Sequence, residues 1–371
     1  MRRLYFIDNL RVACMLLGLF VHVSTLADFG VLNEVATLSA MFRMATFFTV
    51  SGYLAVMLLR RRGTGAFLRN RMRSLAIPLA SSLVLLNPLT LWLIFRWHNG
   101  EIWPDAGMGT IFDAVSGRID AAGTMSWHLH LWFLFSLIFY ILTLPLLIRG
   151  LDRLGPAITR SWPATWRGGV LLPLTAGLAV TFLVLLLLTV LKLAGPAVSE
   201  IWLVRATAQY WPFFLLGALM FGNDRLRARL QRIDIPLLLI AVAATIAQYA
   251  VVWPETVAGL LMQNCRALWR LWITFALLAV FCRWFDRTGP FAALLSRSIY
   301  TVYLFHYLLI YALAPVWAQW FAMDGFAFFG IAFVAGVLAI GLHTVVIENI
   351  PLLSFLFNGK GQAGMARLKS V

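Results

Sequence analysis

Residues 169–191 have the sequence GVLLPLTAGLAVTFLVLLLLTVL, which contains no charged side chain. About 20 consecutive apolar residues let a helix cross a bilayer core of roughly 30 Å. Similar stretches recur along the 371-residue chain, which is 61% hydrophobic and only 12% charged, whereas soluble domains carry about a quarter charged residues. The sequence therefore predicts an all-α, polytopic integral membrane protein whose backbone groups are hydrogen-bonded within their own helices.

The apolar stretches predict about ten transmembrane helices, at residues 8–26, 38–59, 74–96, 129–149, 169–191, 201–222, 235–254, 268–285, 298–320 and 326–347. With a cytoplasmic N-terminus, 22 of the 30 Lys and Arg residues fall in cytoplasmic segments, as the positive-inside rule requires. The longest outer loop, by contrast, holds several acidic residues. We therefore predict cytoplasmic N- and C-termini, one membrane domain over residues 1–358 and a short basic tail over 359–371.

The formal net charge of +15 would suggest nucleic-acid binding in a soluble protein. Here most of the excess lies in short loops between apolar stretches, so membrane topology explains it. We expect the lipid bilayer, and no nucleic acid, as a partner. The three cysteines have no metal-ligand spacing, so the sequence predicts no metal site and no bound cofactor.

The first predicted span carries three ionisable residues, Asp8, Arg11 and His22, which are costly in a membrane and therefore candidates for function. Arg11 and His22 are eleven residues apart, so they lie on one helix face, about 16 Å apart along the axis. Asp8 lies on the same face and can pair with Arg11. One interpretation is a charged track ending at a general base, His22. The alternative is an arginine that reaches the interface and a buried histidine bonded to a carbonyl.

Several motifs follow in order along the chain. The spacing of Arg11 and His22, with ten residues between them, resembles the first span of the acyltransferase-3 family of membrane O-acyltransferases. Four further stretches resemble motifs of that family: FFTVSGYL at 47–54, FLRNRMR at 67–73 with Pro78 soon after, HLWFL at 130–134, and SIY with YLFH over 298–306. The resemblance covers almost the whole chain, from Asp8 to Lys360.

Within that family, four more stretches resemble the subgroup that succinylates osmoregulated periplasmic glucans: MLLG at 15–18, FRM at 42–44, PFFLLGAL at 212–219 and IPLLSFLFNGK at 350–360. The resemblance implies a bacterial inner-membrane enzyme that uses acyl-CoA, with succinyl-CoA as the expected donor substrate. It implies a periplasmic glucan as acceptor and an association with enzymes of glucan biosynthesis. O-acetylation of another surface glycan, such as lipopolysaccharide or capsule, is the alternative. A small-solute transporter is a remoter one, because the sequence has no two homologous halves.

The implied reaction needs a base to take the proton of the acceptor hydroxyl, and His22 is our candidate. It also needs hydrogen-bond donors for the developing oxyanion; the candidates are Ser51, Tyr53 and His306, with His130 as a further supporting residue. Close packing of small residues is an equally good explanation of Ser51. For His98 and His128, a functional role and an ordinary loop position are equally good explanations. We interpret His343 as a packing histidine and assign no role to Glu348.

Arginines are the candidates for holding the acyl-CoA, because their guanidinium groups match phosphate and carboxylate oxygens. Arg11, Arg71 and Arg73 lie toward the predicted cytoplasmic side and can meet the phosphates of CoA, although topology alone also explains Arg71 and Arg73. A succinyl group needs a further cation for its free carboxylate. Arg43 is our candidate, and Arg205, Arg266 and Arg270 are its rivals.

Overall fold

The computed structural model describes residues 4–98, 127–160, 171–195, 201–224 and 266–359, with isolated positions between 198 and 243. Every regular element within these ranges is helical, which confirms the predicted all-α fold. The predicted outer loop at 99–126, most of the predicted span at 235–254 and the basic tail from residue 360 onward lie outside the described residues.

The described helices follow the predicted ones closely along the chain. They are α1 (Tyr5–Val23), α2 (Val31–Arg62), α3 (Thr64–Leu85), α4 (Asn87–His98), α5 (Trp132–Arg160), α6 (Leu171–Leu193), α7 (Trp202–Gly222), α8 (Arg266–Trp284), α9 (Pro290–Ala318), α10 (Gly325–Gly341) and α11 (Pro351–Asn358). A 3-10 turn at Leu129–Leu131 precedes α5, and a π turn at Leu342–Ile347 follows α10.

Six helices among the described residues are long and apolar enough to cross a membrane, judged by length and composition: Tyr5–Val23, Val31–Arg62, Leu129–Arg153, Thr175–Leu193, Pro290–Ala318 and Gly325–Ile347. The bent pair α3 and α4 makes a seventh if it counts as one span. The chain is therefore a multi-pass membrane protein. The number ten and the cytoplasmic termini stay predictions.

The helix predicted at 74–96 is two helices that meet at 45°. The break lies at Leu86, just before Asn87 and Pro88. Proline has no N–H to donate, and its ring crowds the carbonyl four residues earlier. The N-terminal end also differs from the prediction, because α3 begins at Thr64 and the basic stretch 67–73 is helical rather than a loop.

The chain folds into two compact units, each built from several separate stretches of sequence. The first consists of Met1–Cys14, Ala40–Phe67 and Phe139–Gly289. Within it, α2 and α7 approach each other without intervening side chains. A Cβ atom on Gly52 would overlap the carbonyl oxygen of Phe214, and one on Gly217 would overlap that of Thr49. Glycine at both positions therefore lets the two backbones touch, as small residues do between membrane helices.

The second unit consists of Met15–Ser39, Leu68–Ile138 and Pro290–Val371. Its centre is α9, which packs against α10 and α4. From Ser298 to Ala314 most side chains of α9 are buried, and they include Tyr303, His306, Tyr307 and Tyr311. Ionisable rings buried within a membrane-spanning helix are candidates for a functional site.

Candidate active site

Three histidines that the sequence placed in separate motifs lie together in the second unit. His22 is near the end of α1, His130 is in the 3-10 turn before α5, and His306 is in the middle of α9. Their ring centroids are 5.0 Å apart for His22 and His306, 5.0 Å for His130 and His306, and 5.9 Å for His22 and His130. We call these three residues the histidine cluster.

Tyr307 completes one wall of the histidine cluster. Its ring lies 4.2 Å from the ring of His22, centroid to centroid, and 5.5 Å from that of His130. His130 and His306 are buried, with 8% and 4% of their surface exposed, whereas His22 is partly exposed. The partly exposed imidazole is therefore the one that a substrate can reach.

The hydrogen bonds of His306 fix its tautomer when the ring is neutral. Its Nδ1 lies 2.8 Å from the carbonyl oxygen of Tyr303 and 3.0 Å from that of Val302. A carbonyl only accepts hydrogen bonds, so Nδ1 carries the proton and Nε2 carries the lone pair. In its neutral form His306 is thus an acceptor at Nε2, which suits a proton-accepting role better than the oxyanion donor we predicted.

The turn that carries His130 has an uncommon backbone. Leu129 has φ +46°, in the left-handed region that side chains with a Cβ rarely adopt. The hydroxyl of Tyr303 donates a hydrogen bond of 2.9 Å to the carbonyl of His130, which fixes the turn on α9. Such backbone conformations cost about 1 to 3 kcal/mol and persist where the surroundings enforce them, often at functional sites.

A chain of hydrogen bonds holds the end of α1 beside the cluster. The Thr25 hydroxyl donates to the carbonyl of His22 at 2.6 Å and lies 2.9 Å from the Tyr311 hydroxyl. Nε2 of His98 lies 3.1 Å from the same Tyr311 hydroxyl. The Tyr311 hydroxyl also lies 3.4 Å from the Thr25 carbonyl. It can therefore donate to either oxygen of Thr25, and it can accept a hydrogen bond from an Nε2–H of His98.

His128 is not part of the cluster. Its ring packs against Trp127 and Phe135, and its Nδ1 lies 3.1 Å from the carbonyl of Leu129. Burial lowers the pKa of the His128 imidazole below its usual value, because the charged form loses its hydration. These contacts favour the structural explanation for His128.

His343, which we interpreted as a packing histidine, is fully buried and also has polar contacts. Its Nδ1 lies 2.7 Å from the Thr301 hydroxyl, and its Nε2 lies 3.2 Å from the Glu348 carboxylate. Glu348 also forms an ion pair with Arg297 at 3.2 Å. This group joins α9 to the π turn, and Glu348, to which we had assigned no role, is one of its members.

Arg71 and Arg73 also lie in the second unit. The guanidinium of Arg73 lies over the ring of Phe355 at 5.3 Å, which ties α3 to α11. Arg71 interacts electrostatically with Tyr300, whose hydroxyl donates to the carbonyl of Ser74 at 3.2 Å. Both arginines therefore have structural contacts, and these contacts leave their predicted role in holding CoA open to experiment.

The remaining predicted residues lie in the first unit. Arg11 lies over the ring of Phe47 at 5.6 Å and interacts with the charge of Asp8. Arg43 lies close enough to Cys14 to act on it electrostatically. Tyr53 accepts a hydrogen bond of 3.2 Å from Arg227. Ser51 precedes Gly52, whose contact with Phe214 supports the packing explanation for this motif.

Among the rivals of Arg43, Arg205 is exposed on α7, and the Arg266 side chain lies outside the described residues. Arg270 lies over the ring of Tyr210 at 5.5 Å. Sequence reasoning missed Thr25, Tyr307 and Tyr311. Tyr303, Tyr307 and Tyr311 are spaced four residues apart, which places them on one face of α9, and this stripe was the available signal.

No three His, Cys, Asp or Glu side chains in the described part of the chain are arranged to hold a metal ion. What the histidine cluster offers instead is acid–base chemistry. It combines imidazole lone pairs, a partly exposed ring on His22 and neighbouring hydroxyl groups, as a proton transfer to or from a substrate requires.

Comparison with known proteins places this arrangement in a family. Residues 4–345 match the acyltransferase-3 profile, described as an acyltransferase domain. The chain is 26% identical to the protein named glucans biosynthesis protein C of Escherichia coli K12, over 97% of this chain and 95% of the relative. It is also 26% identical to the protein of that name in Salmonella typhimurium LT2, over 96% and 95%. No solved structure matches. With a match over nearly its whole length, the chain belongs to the acyltransferase-3 family of acyltransferases.

Proposed function

We propose that the chain transfers a succinyl group from succinyl-CoA to hydroxyl groups of periplasmic osmoregulated glucans. The acyltransferase family and the glucan-related names of its relatives support this proposal. The observation that carries it is the histidine cluster, in which the partly exposed His22 is backed by His130, His306 and Tyr307.

In the proposed reaction, His22 accepts the proton of the acceptor hydroxyl while its oxygen attacks the thioester carbon. The new C–O bond gives a tetrahedral oxyanion, and collapse of that oxyanion breaks the C–S bond. CoA leaves as the thiolate and takes up one proton, so the products are the ester and CoA thiol. The rings of His306 and His130 lie 5.0 and 5.9 Å from that of His22, centroid to centroid, beside the proton that His22 holds.

The acyl donor requires cationic residues as well as a base. Arg11, Arg71 and Arg73 are proposed to meet the phosphates of CoA, since guanidinium forks match phosphate oxygens. Arg43 is proposed to meet the free carboxylate of a succinyl group, and Ser51 and Tyr53 stay candidates for acyl binding. We place the protein in the bacterial inner membrane, with both termini in the cytoplasm and with glucan-biosynthesis enzymes as its functional partners.

The test compares wild type with His22→Gln in a bacterium that lacks its own glucan succinyltransferase. Periplasmic glucans are weighed by mass spectrometry after membrane levels of the two proteins have been matched. We expect succinyl groups with wild type and a loss of about 100-fold or more with His22→Gln, the usual effect of removing a general base. His128→Gln is the matched control, because the ring of this neighbouring histidine packs against Trp127 and Phe135.

Each other outcome has a distinct meaning. Acetyl groups in place of succinyl groups would move the proposal to an acetyl donor. Unmodified glucans with wild type would move it to another surface glycan as acceptor. Full succinylation by His22→Gln would show that His22 is not the base. Uptake or export of a labelled solute without any thioester would favour the transporter alternative.

A further inference from the structure

Arg270 is a partly buried charged residue in the first unit. Its Nε and Nη1 atoms are buried and have no hydrogen-bond partner among the described residues. Its guanidinium lies over the Tyr210 ring, 5.5 Å from the centroid. Such a contact contributes about 0.5 to 2 kcal/mol, which is much less than the cost of removing a charge from water.

The helix directions place a second arginine at the same level. Arg11 of α1 lies over Phe47, and Cys14 further along α1 is acted on by Arg43, which comes earlier in α2. Thus α1 and α2 are antiparallel. The Asn9 amide, at the start of α1, donates to the carbonyls of Phe285 and Arg287, just beyond the end of α8. Thus α1 and α8 are antiparallel, and α2 and α8 run parallel.

A hydrogen bond sets the register between α2 and α8. The hydroxyls of Thr46 and Thr274 are 3.0 Å apart. Arg43 precedes Thr46 by three residues and Arg270 precedes Thr274 by four, so each arginine lies one helical turn before the threonine pair. Long side chains on helices lean toward the N-terminal end. Both guanidinium groups therefore extend in the same direction from neighbouring helices.

We infer that Arg43 and Arg270 together form a binding site for an oxyanion, with Tyr210 as a flat support beneath Arg270. An anion between them would supply the negative charge and the acceptors that Arg270 lacks in the described structure. This inference rests on the proposed function for its ligand, the free carboxylate of a dicarboxylic acyl group.

A CoA phosphate offers the same oxyanion chemistry, but the position along α2 favours the carboxylate. Arg43 lies about 25 Å along the helix axis from Arg60, and Arg60 to Arg62 form the basic end of α2 that we predict to be cytoplasmic. CoA approaches from that end, whereas the acyl group is the part of the donor that goes deepest.

The experiment measures binding of succinyl-CoA and acetyl-CoA to the purified full-length protein, because both donors carry the same phosphates. We expect Arg270→Gln to weaken succinyl-CoA binding about tenfold or more, as loss of a charged hydrogen bond does, and to change acetyl-CoA binding by less than about threefold. Arg270→Lys should retain part of the preference. Lys192→Gln, which removes an exposed cation of α6 in the same unit, is the matched control and should bind both donors as wild type does.

Equal weakening for both donors would assign the site to a phosphate or to the fold and would overturn the inference. So would a wild type that does not discriminate between the donors or binds neither. If Arg270→Gln proves unstable, Arg43→Gln gives the same test from the other helix. Acyl transfer to glucans is measured on the same samples. A wild type that discriminates between the donors but leaves glucans unmodified would contradict the proposed acceptor. The proposed carboxylate site would still be supported.

Discussion

His22 shares its surroundings with two other imidazoles, and this limits how much positive charge the histidine cluster holds. Ring centroids 5.0 to 5.9 Å apart in a poorly solvated environment make a second proton unfavourable once the first has bound. Titration of such neighbours belongs to the group rather than to one residue. A cluster of this kind is suited to accept one proton per turnover and then release it.

A Tyr311→Phe variant tests whether the hydrogen bonds that run from Tyr311 through Thr25 position His22. We expect Tyr311→Phe to lower the rate of acyl transfer about tenfold, since a shift of about 1 Å at a reacting group costs up to roughly 100-fold. The hydroxyl of Tyr311 reaches the turn that carries His22 through Thr25. Initial rates at saturating acyl-CoA are the measurement, together with the melting temperature of each protein.

Tyr300→Phe is the matched control, because it removes another α9 hydroxyl that bonds to the Ser74 carbonyl instead. Both variants should lose a similar stability of about 1 kcal/mol, and only Tyr311→Phe should lose rate. Equal rates in the two variants would show that the hydrogen bonds from Tyr311 through Thr25 stabilise the fold and do not position His22.

Sequence reasoning found His22, His130 and His306 one at a time, each within its own motif. Their meeting could not be predicted, because helical periodicity gives the face of a residue but not the helix opposite that face. His343 illustrates the same limit. Its partner Thr301 lies 42 residues earlier, so nothing in the neighbouring sequence marked it as engaged.

At the scale of the helix, the motif around Ser51 and Gly52 serves the contact between α2 and α7. We expect Gly52→Ala and Gly217→Ala each to destabilise the protein by about 1 to 3 kcal/mol, the usual cost of overpacking, because the added methyl groups would overlap backbone carbonyls of the facing helix. Thermal unfolding in detergent, followed by the loss of monodisperse protein, measures this effect.

Gly222→Ala provides the comparison, since a Cβ at the last residue of the same α7 helix meets nothing within 4 Å. Its stability should stay within about 0.5 kcal/mol of wild type, as for other surface substitutions. A Gly52→Ala protein as stable as Gly222→Ala would mean that α2 and α7 do not pack as closely as described.

Helix positions were the part of the fold that the sequence predicted well, because long apolar runs have few alternatives in a bilayer. The exceptions have local causes. Pro88 divides the helix predicted at 74–96, and a basic segment at 67–73 that we expected to be a loop continues as α3. The basic residues of this segment indicated that it lies outside the membrane, but they carried no information on its secondary structure.

For the whole molecule, the testable feature is whether the number of transmembrane helices is even or odd. Ten spans, or any even number, place both termini on the same side of the membrane. We expect a green fluorescent protein fused to either terminus to fluoresce, because this reporter folds in the cytoplasm, and a periplasmic reporter inserted near residue 110 to be active. Fluorescence at one terminus alone would mean an odd number of spans and would refute the predicted topology.

The π turn at Leu342–Ile347 sets the rotation of everything that follows it. The Glu348 N–H bonds to the carbonyl of His343, five residues back, so this turn contains one residue more than an α-helix would use. If the same residues formed an α-helix instead, the following chain would be rotated by about 100°. Phe355 would then face away from Arg73, and Gly359 from the Arg73 carbonyl against which it packs. In evolutionary terms, the turn accommodates one extra residue, and a single-codon deletion within it should be better tolerated than a deletion within α10.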